Sequence, residues 1–118
     1  MATSAKNQQT LIDWGLESDQ KAVTDAMIEV VSTDLRPELG KIETPVLVLG
    51  TWVGLKAYGV TKDQATSLFM EQYYGVKNMK FEMADTARHF VMWDDPAWFN
   101  SQVDQFLALN AASAIAKP

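Results

Sequence analysis

The feature that most constrains how this chain can fold is a short apolar run, PVLVLG, which extends from Pro45 to Gly50. Consecutive apolar residues opened by proline and closed by glycine are typical of a strand buried on both faces of a parallel sheet. Such a strand needs a neighbouring strand on each side. The sequence offers one clear partner, MKFEM at residues 79–83, in which apolar and charged residues alternate. This alternation predicts a strand with one wet face, close to a sheet edge.

A helix is predicted between the two strands. The segment TKDQ has the form of a capping box, in which the Thr61 side chain accepts from the Gln64 amide and the Gln64 side chain reaches back to Thr61. Apolar residues continue in helical register after this box, and Gly75 is predicted to end the helix in a left-handed conformation. Strand, helix and strand in this order predict a right-handed βαβ unit over residues 45–84.

Further helices flank this unit. Apolar residues at three- and four-residue steps predict an amphipathic helix that begins near Ser18. Asp95 as the N-cap, followed by Pro96 at the first helical position, predicts the start of a final helix. The fold class is therefore α/β, with a partial doubly wound sheet. Because sheets usually hold about four to six strands, we expect this one to be incomplete unless another chain completes it.

The chain has 118 residues, a length that favours one domain, and its composition divides it into four segments. Residues 1–17 are a polar lead-in, of which residues 1–10 are assigned no fold, and residues 18–44 hold a helix and an irregular connector. Residues 45–110 contain the βαβ unit, a loop and the final helix. Residues 111–118 form a tail of low sequence information that is expected to fray.

Charge and composition disfavour several classes of partner and location. The net charge of −5 argues against nucleic acid, because phosphate-binding surfaces need clustered lysine and arginine. The apolar runs are too short to cross a bilayer and the first residues lack the apolar core of a secretory signal, so no membrane attachment is expected. The sequence contains no cysteine, which suits a reducing compartment, and the cytoplasm is the expected location.

No metal or cofactor is expected from the sequence. Its one histidine and its scattered carboxylates have no paired-ligand spacing such as H-E-x-x-H. The phosphate-binding motifs G-x-G-x-x-G and G-x-x-x-x-G-K are both missing from the sequence. Any reaction at this chain is therefore expected to use amino-acid side chains without a metal or a cofactor.

The single histidine, His89, is the main candidate catalytic residue. It follows the second predicted strand by a few residues and precedes a well-capped helix, so it is expected in a loop at the carboxyl end of a parallel sheet. Ligands and catalytic groups collect at that edge in α/β proteins. A lone histidine also occurs often as a structural residue, and both interpretations stay open at this point.

The order of these elements resembles the last third of an α/β-hydrolase over about residues 34–109, through ELGKIETPVLVLG, the following helix and MKFEMADTARHFVMWDDPAWFNSQVDQFL. Residues 18–44 then resemble the end of a cap region, and the rest the last two core strands, the histidine loop and the carboxy-terminal helix. The residues that match the family's pattern around the histidine are His89, Phe90, Asp94, Asp95 and Pro96. The resemblance implies that His89 is the general base that activates a serine and later protonates the leaving group.

The other parts of such a site are missing from the sequence. The nucleophile elbow G-x-S-x-G does not occur, and the loop GTWVGLKAYG, where the family usually has its acid, contains no carboxylate. Asp85 is the candidate acid or ring-orienting residue because it lies close to His89 in sequence, although a turn or surface role also fits. We therefore expect a fragment of an enzyme that hydrolyses an ester or a related small molecule, inactive alone without its serine and oxyanion donors.

Four aromatic residues near the predicted edge are candidate pocket-lining residues: Trp52, Tyr58, Phe90 and Trp93. Packing in a core or an interface is the alternative, because aromatic residues are enriched in both. The shortage of strands supports a second hypothesis, a non-catalytic module that self-associates or binds a partner. The expected partner is accordingly either a second copy of the chain or the missing amino-terminal half of a hydrolase.

Overall fold

The computed structural model describes residues 1–115, and the side chains up to residue 111. Its regular elements, in chain order, are helices α1 (Ala5–Glu17) and α2 (Gln20–Ser32), a 3-10 helix (Arg36–Lys41), strand β1 (Val46–Thr51), a second 3-10 helix (Lys56–Tyr58), helix α3 (Lys62–Gln72), strand β2 (Met79–Ala84) and helices α4 (Val91–Asp94) and α5 (Pro96–Ile115).

The two strands form the predicted strand, helix, strand unit. β1 and β2 pair in parallel, with Val46 opposite Met79 and Thr51 opposite Ala84. Helix α3 packs on β1, and α5 packs on β2. The mixed α/β class is therefore confirmed. Within residues 1–115 the sheet has two strands, and a doubly wound sheet stays a prediction.

Burial of β1 is only partly as predicted. Val48 and Gly50 are buried, whereas Val46, Leu47 and Leu49 are half-buried. A strand with one partner strand has an edge without a neighbour, so some of its apolar side chains keep contact with water. The prediction that β1 is fully buried on both faces is wrong for the chain on its own.

Helix α3 begins as its sequence predicts and ends differently. The capping box is present, with the Gln64 amide 3.2 Å from Thr61 Oγ1 and the Thr61 amide 2.9 Å from Gln64 Oε1. The predicted left-handed Gly75 is wrong, because Gly59 is the one residue with positive φ in the described part of the chain. Gly75 instead permits close packing, since a Cβ there would lie 3.1 Å from the Cβ of Leu39.

The amino-terminal residues are folded as helix α1, although the sequence assigns no fold to residues 1–10. Ser4 caps helix α1 by accepting a hydrogen bond from the Asn7 amide at 3.1 Å. The ring of Trp14 in this helix packs against Trp93, with 5.4 Å between ring centroids. The Ser4 cap and the aromatic contact of Trp14 therefore help to order this segment.

Helix α2 lies where the apolar periodicity predicts a helix, and Asp19 caps it through the Ala22 amide at 2.8 Å. Every residue of the helix is nevertheless exposed. Its apolar residues Val30 and Val31 are 70% and 77% exposed. The stripe that would normally face a core is uncovered in the single chain.

Helix α5 starts at the predicted cap. The Trp98 amide donates to Asp95 Oδ1 at 3.1 Å, and Pro96 occupies the first helical position. The helix extends to Ile115, past the point at which the tail was expected to fray. Residues 116–118 lie outside the described part of the chain.

The hydrophobic core is small. Its buried members are all of modest size: Ala2, Val48, Ala65, Val76, Ala84, Ala87 and Val91. The Cα radius of gyration is 16.9 Å, whereas a compact domain of this length has a radius of about 13.5 Å. The chain is therefore more extended than a self-contained domain of the same size.

Candidate functional site

The candidate site lies at the carboxyl edge of the two-stranded sheet. Because Thr51 at the end of β1 pairs with Ala84 at the end of β2, the loops that follow both strands leave from the same edge. We call residues 85–90 the histidine loop and residues 52–60 the β1 loop. Parallel strands direct their following loops to one side, which is why this edge is the usual place for ligand-binding residues in α/β proteins.

His89 is exposed in the histidine loop. Its ring meets the ring of Phe90 edge-on, with 5.3 Å between centroids and 81° between planes. Over residues 1–115, we find no hydrogen bond from its imidazole to another side chain or to the backbone. The imidazole is thus open to an incoming group, as a general base has to be.

Asp85 is paired with a residue other than the histidine. Its carboxylate forms an ion pair with Lys62 at the start of α3, and its side chain is 75% exposed. An exposed pair of this kind contributes at most about 1 kcal/mol. The structure thus holds Asp85 towards α3, and its role as the acid or as a ring-orienting residue stays a prediction.

Asp94 holds the histidine loop through hydrogen bonds to its backbone. Its Oδ2 accepts from the Arg88 amide at 2.9 Å, and its Oδ1 accepts from the amide and the hydroxyl of Thr3, both at 2.8 Å. Burial raises the pKa of Asp94, but the hydrogen bonds from Thr3 and Arg88 outweigh it and lower the pKa below the ordinary 3.8. The side chain is therefore an ionised acceptor at neutral pH.

The neighbouring carboxylate, Asp95, holds the start of the histidine loop. Asp95 Oδ2 accepts from the Thr86 hydroxyl at 3.1 Å, while its Oδ1 caps α5. The amide of Phe90 donates to the carbonyl of Met1 at 3.3 Å. The loop is therefore attached at Thr86, Arg88 and Phe90, that is, on both sides of His89.

Aromatic rings continue from the histidine loop to the first helix. Phe90 stacks on Trp93 with 5.0 Å between centroids and 21° between planes, and Trp93 meets Trp14 of α1 at 58°. Together with His89 these rings form a continuous row. Each aromatic pair contributes about 0.5–1.5 kcal/mol beyond the area it buries. Phe90 and Trp93 therefore pack against each other, and a pocket-lining role for them stays a prediction.

The two aromatic candidates of the β1 loop lie apart from that row. Trp52 is half-buried, with Lys56 Nζ 5.7 Å from its ring centroid, and its indole nitrogen is buried without a hydrogen-bond partner. Tyr58 is 83% exposed and lines an open groove of about 650 Å³ beside α3. That groove includes no residue of the histidine loop. Of the four candidate pocket residues, Tyr58 alone lines this groove, and a shared pocket for the four stays a prediction.

The interactions that hold His89 in place were only partly visible in the sequence. Asp94 and Asp95 entered the prediction as members of a pattern, with no partner assigned to Asp94. Its contact with Thr3 joins residues 91 positions apart, and Trp14 meets Trp93 across a similar distance in sequence. No local periodicity links such pairs. A single threonine near the start of the chain has no sequence feature that identifies it as a partner of Asp94.

The described residues contain no group of three or more His, Cys, Asp or Glu that could hold a metal ion. Asp94 and Asp95 both accept hydrogen bonds from donors of the chain. Of the helices in residues 1–115, none combines the length and apolar character needed to cross a membrane.

No known protein family, curated protein or solved structure matches this chain. The features that bear on function are therefore the chain's own: the exposed imidazole, the carboxylates around its loop and the sheet edge from which that loop leaves.

Proposed function

We propose that this chain is the carboxy-terminal segment of a cytoplasmic serine hydrolase of the α/β-hydrolase type, which acts on an ester or a related small molecule. His89 is its general base. The observation that carries the proposal is the parallel βαβ unit that delivers an exposed histidine at its carboxyl edge, a few residues before α5, which Asp95 caps. The nucleophilic serine and the oxyanion donors belong to sequence that this chain does not contain.

The incompleteness of the sheet supports this proposal. Among residues 1–115, β1 pairs with β2 alone, although its apolar sequence is typical of a central strand. The small core and the large radius of gyration point the same way, because removing the earlier strands of a sheet would expose one edge of β1 and leave helices without a surface to cover.

The chemistry assigned to His89 is proton transfer in acyl transfer. The imidazole accepts the serine proton as the hydroxyl oxygen attacks the carbonyl carbon, and it then donates that proton to the leaving alcohol. Such transfer needs the imidazole nitrogen within about 2.6–3.2 Å of the hydroxyl oxygen. An isolated histidine without a positioned nucleophile or oxyanion donors supplies little of the rate, so the chain alone is inactive.

The inactivity of the chain alone is tested with a chromogenic short-chain ester such as p-nitrophenyl butyrate. We expect the wild-type chain and His89→Ala to give the same slow background release of p-nitrophenol. Turnover by the wild-type chain that disappears in His89→Ala would show that the chain has its own nucleophile. The inactive-fragment proposal would then be wrong.

The hydrolase assignment is tested on the protein expressed from the full reading frame that contains this segment. We expect an in-frame G-x-S-x-G after a predicted strand, and labelling of its serine by a fluorophosphonate probe. His89→Gln should abolish labelling, whereas Lys62→Gln, which also changes one exposed side chain at this edge, should preserve it. A missing elbow, or labelling that is independent of His89, refutes the proposal.

The same protein tests Asp85 as the acid. Asp85→Asn should reduce ester turnover strongly if this carboxylate orients the His89 ring. Lys62→Gln, which removes its present ion-pair partner, should not reduce turnover. Equal activity of Asp85→Asn and wild type assigns the acid to another residue and leaves the role of His89 intact.

The second candidate function is a self-associating or partner-binding module without catalytic activity. The observation in its favour is α2, whose apolar stripe is exposed along its whole length. Light scattering should then give a dimer or a larger species, and Val30→Lys should shift it towards the monomer, whereas Lys21→Gln on the polar face should not. A well-folded monomer at high dilution counts against this function.

A further inference from the structure

Asp94 joins two parts of the chain that are far apart in sequence. One of its oxygens, Oδ1, receives the Thr3 amide and the Thr3 hydroxyl, and the other, Oδ2, receives the Arg88 amide. An ionised carboxylate only accepts hydrogen bonds, so both oxygens are suited to this arrangement. The carboxylate bridges the start of the chain and the histidine loop.

The backbone on both sides of His89 is anchored to this amino-terminal segment. Arg88 is attached to Asp94, and the Phe90 amide donates to the carbonyl of Met1. The imidazole itself makes no hydrogen bond within the described residues, and its ring contact is with Phe90. The orientation of the ring therefore follows from these backbone attachments.

The amino-terminal segment is itself held firmly enough to serve as an anchor. Ala2 is completely buried, and the side-chain amide of Gln8 donates to the Ala2 carbonyl at 3.0 Å. Segments attached by one surface contact fray easily, whereas this one has a buried side chain and several hydrogen bonds. Thr3 is therefore a fixed donor for Asp94.

We propose that Asp94 is the positioning residue for His89, and that it acts by bridging Thr3 and the Arg88 amide. The catalytic meaning of this position rests on the proposed hydrolase function. The effect on the geometry of the histidine loop does not depend on it, and it is measurable in the chain alone.

The chain contains one histidine, so its imidazole proton resonances are assigned without ambiguity. The edge-on ring of Phe90 shifts them through its ring current, which makes their chemical shifts a probe of loop geometry. In Asp94→Asn one oxygen becomes an NH₂ group that faces a donor. We expect the imidazole resonances to move towards those of an unstructured peptide, and exchange of the Arg88 amide to become about tenfold faster or more.

Two further variants separate positioning from general stability. Asp95→Asn changes the neighbouring carboxylate, but asparagine caps a helix as well as aspartate does, and its NH₂ group can donate to the Thr86 hydroxyl, which also accepts hydrogen bonds. The imidazole resonances should therefore keep their wild-type positions. Thr3→Val removes the hydroxyl donor of the bridge and keeps the backbone donor. It should shift the resonances in the same direction as Asp94→Asn, by a smaller amount.

The proposal is wrong if Asp94→Asn is folded, as judged by circular dichroism, and leaves the His89 resonances and Arg88 exchange unchanged. If Asp94→Asn does not fold, Thr3→Val decides: an unchanged imidazole spectrum overturns the proposal, and a shift supports it. An equal shift in Asp95→Asn also overturns it, because the effect would then not be specific to the bridge.

Activity measurements separate this proposal from the hydrolase assignment. In the protein from the full reading frame, Asp94→Asn should lower kcat about 10- to 100-fold with little change in KM, as expected for a misplaced base. If the imidazole shift occurs and labelling is independent of His89, the hydrolase assignment fails and the bridge stands. If labelling needs His89 and Asp94→Asn leaves both spectrum and kcat unchanged, the bridge fails and the assignment stands.

Discussion

Gly50→Ala tests how closely β1 and β2 are packed next to the candidate site. Gly50 is buried near the carboxyl end of β1, opposite Met83. A Cβ at Gly50 would lie 2.9 Å from Cζ and 3.0 Å from Cε2 of Phe81, and 3.2 Å from Cε of Met83. These distances are shorter than ordinary carbon contacts of about 3.5–4.0 Å. The Phe81 ring therefore has to move, although it already packs against the Phe69 ring, with 5.7 Å between the ring centroids.

The expected cost follows from two opposing effects. Overpacking a core site by one methyl group costs about 1–3 kcal/mol, whereas replacing glycine within a strand by alanine stabilises by about 0.5–1 kcal/mol. The net loss in the free energy of unfolding is about 1 kcal/mol. For a chain of this size that corresponds to a fall in Tm of about 4 °C.

The measurement is urea and thermal unfolding followed by circular dichroism. Gly54→Ala is the matched control, because a Cβ at Gly54 meets no atom within 4 Å, and it should be neutral or stabilise by up to about 1 kcal/mol. If Gly50→Ala is as stable as Gly54→Ala, the close approach of Phe81 to β1 is not a constraint, and the packing argument is refuted.

Three further changes test the surroundings of His89. Trp14→Ala should remove the contact with Trp93 and speed proteolysis within α1, and Trp14→Phe should largely restore protection. Because folding lowers the pKa of Asp94, its contribution to stability is complete well above pH 3.8 and is lost as the pH falls through the lower, folded-state value. Acid unfolding of Asp94→Asn should lack this loss of stability. An acid transition identical to that of the wild type would contradict the assignment of the loss to Asp94. Asp85→Asn should change the free energy of unfolding by less than about 1 kcal/mol, because its pair with Lys62 is exposed; a larger change would show that the pair is structural.

The parts of the fold that were predicted from sequence are those determined within a few residues. Thr61 and Gln64 satisfy each other's backbone groups, and Asp95 with Pro96 starts α5, so spacing alone identified both helix starts. The parallel pairing of β1 and β2 followed from a helix between two strands, since a parallel connection needs such a crossover. These features depend little on the rest of the structure.

The parts that were not predicted depend on tertiary contacts. Gly75 was expected in a left-handed turn, but its small size serves packing against Leu39, which lies 36 residues earlier. Helix α1 is ordered by Trp14 against Trp93, and the contact of Asp94 with Thr3 spans almost the whole chain. No periodic pattern relates positions so far apart, so a single sequence gives no signal that they are in contact.

The histidine loop is organised independently of any serine. Its attachments run through Asp94 and Asp95, and through the Met1 carbonyl, all of which belong to this chain. A base held in place before its partner arrives loses less conformational entropy when the catalytic geometry forms. If the proposed hydrolase assembles around this segment, the groups that hold the histidine loop are therefore already in position, and the earlier sequence has to supply the nucleophile and the oxyanion donors.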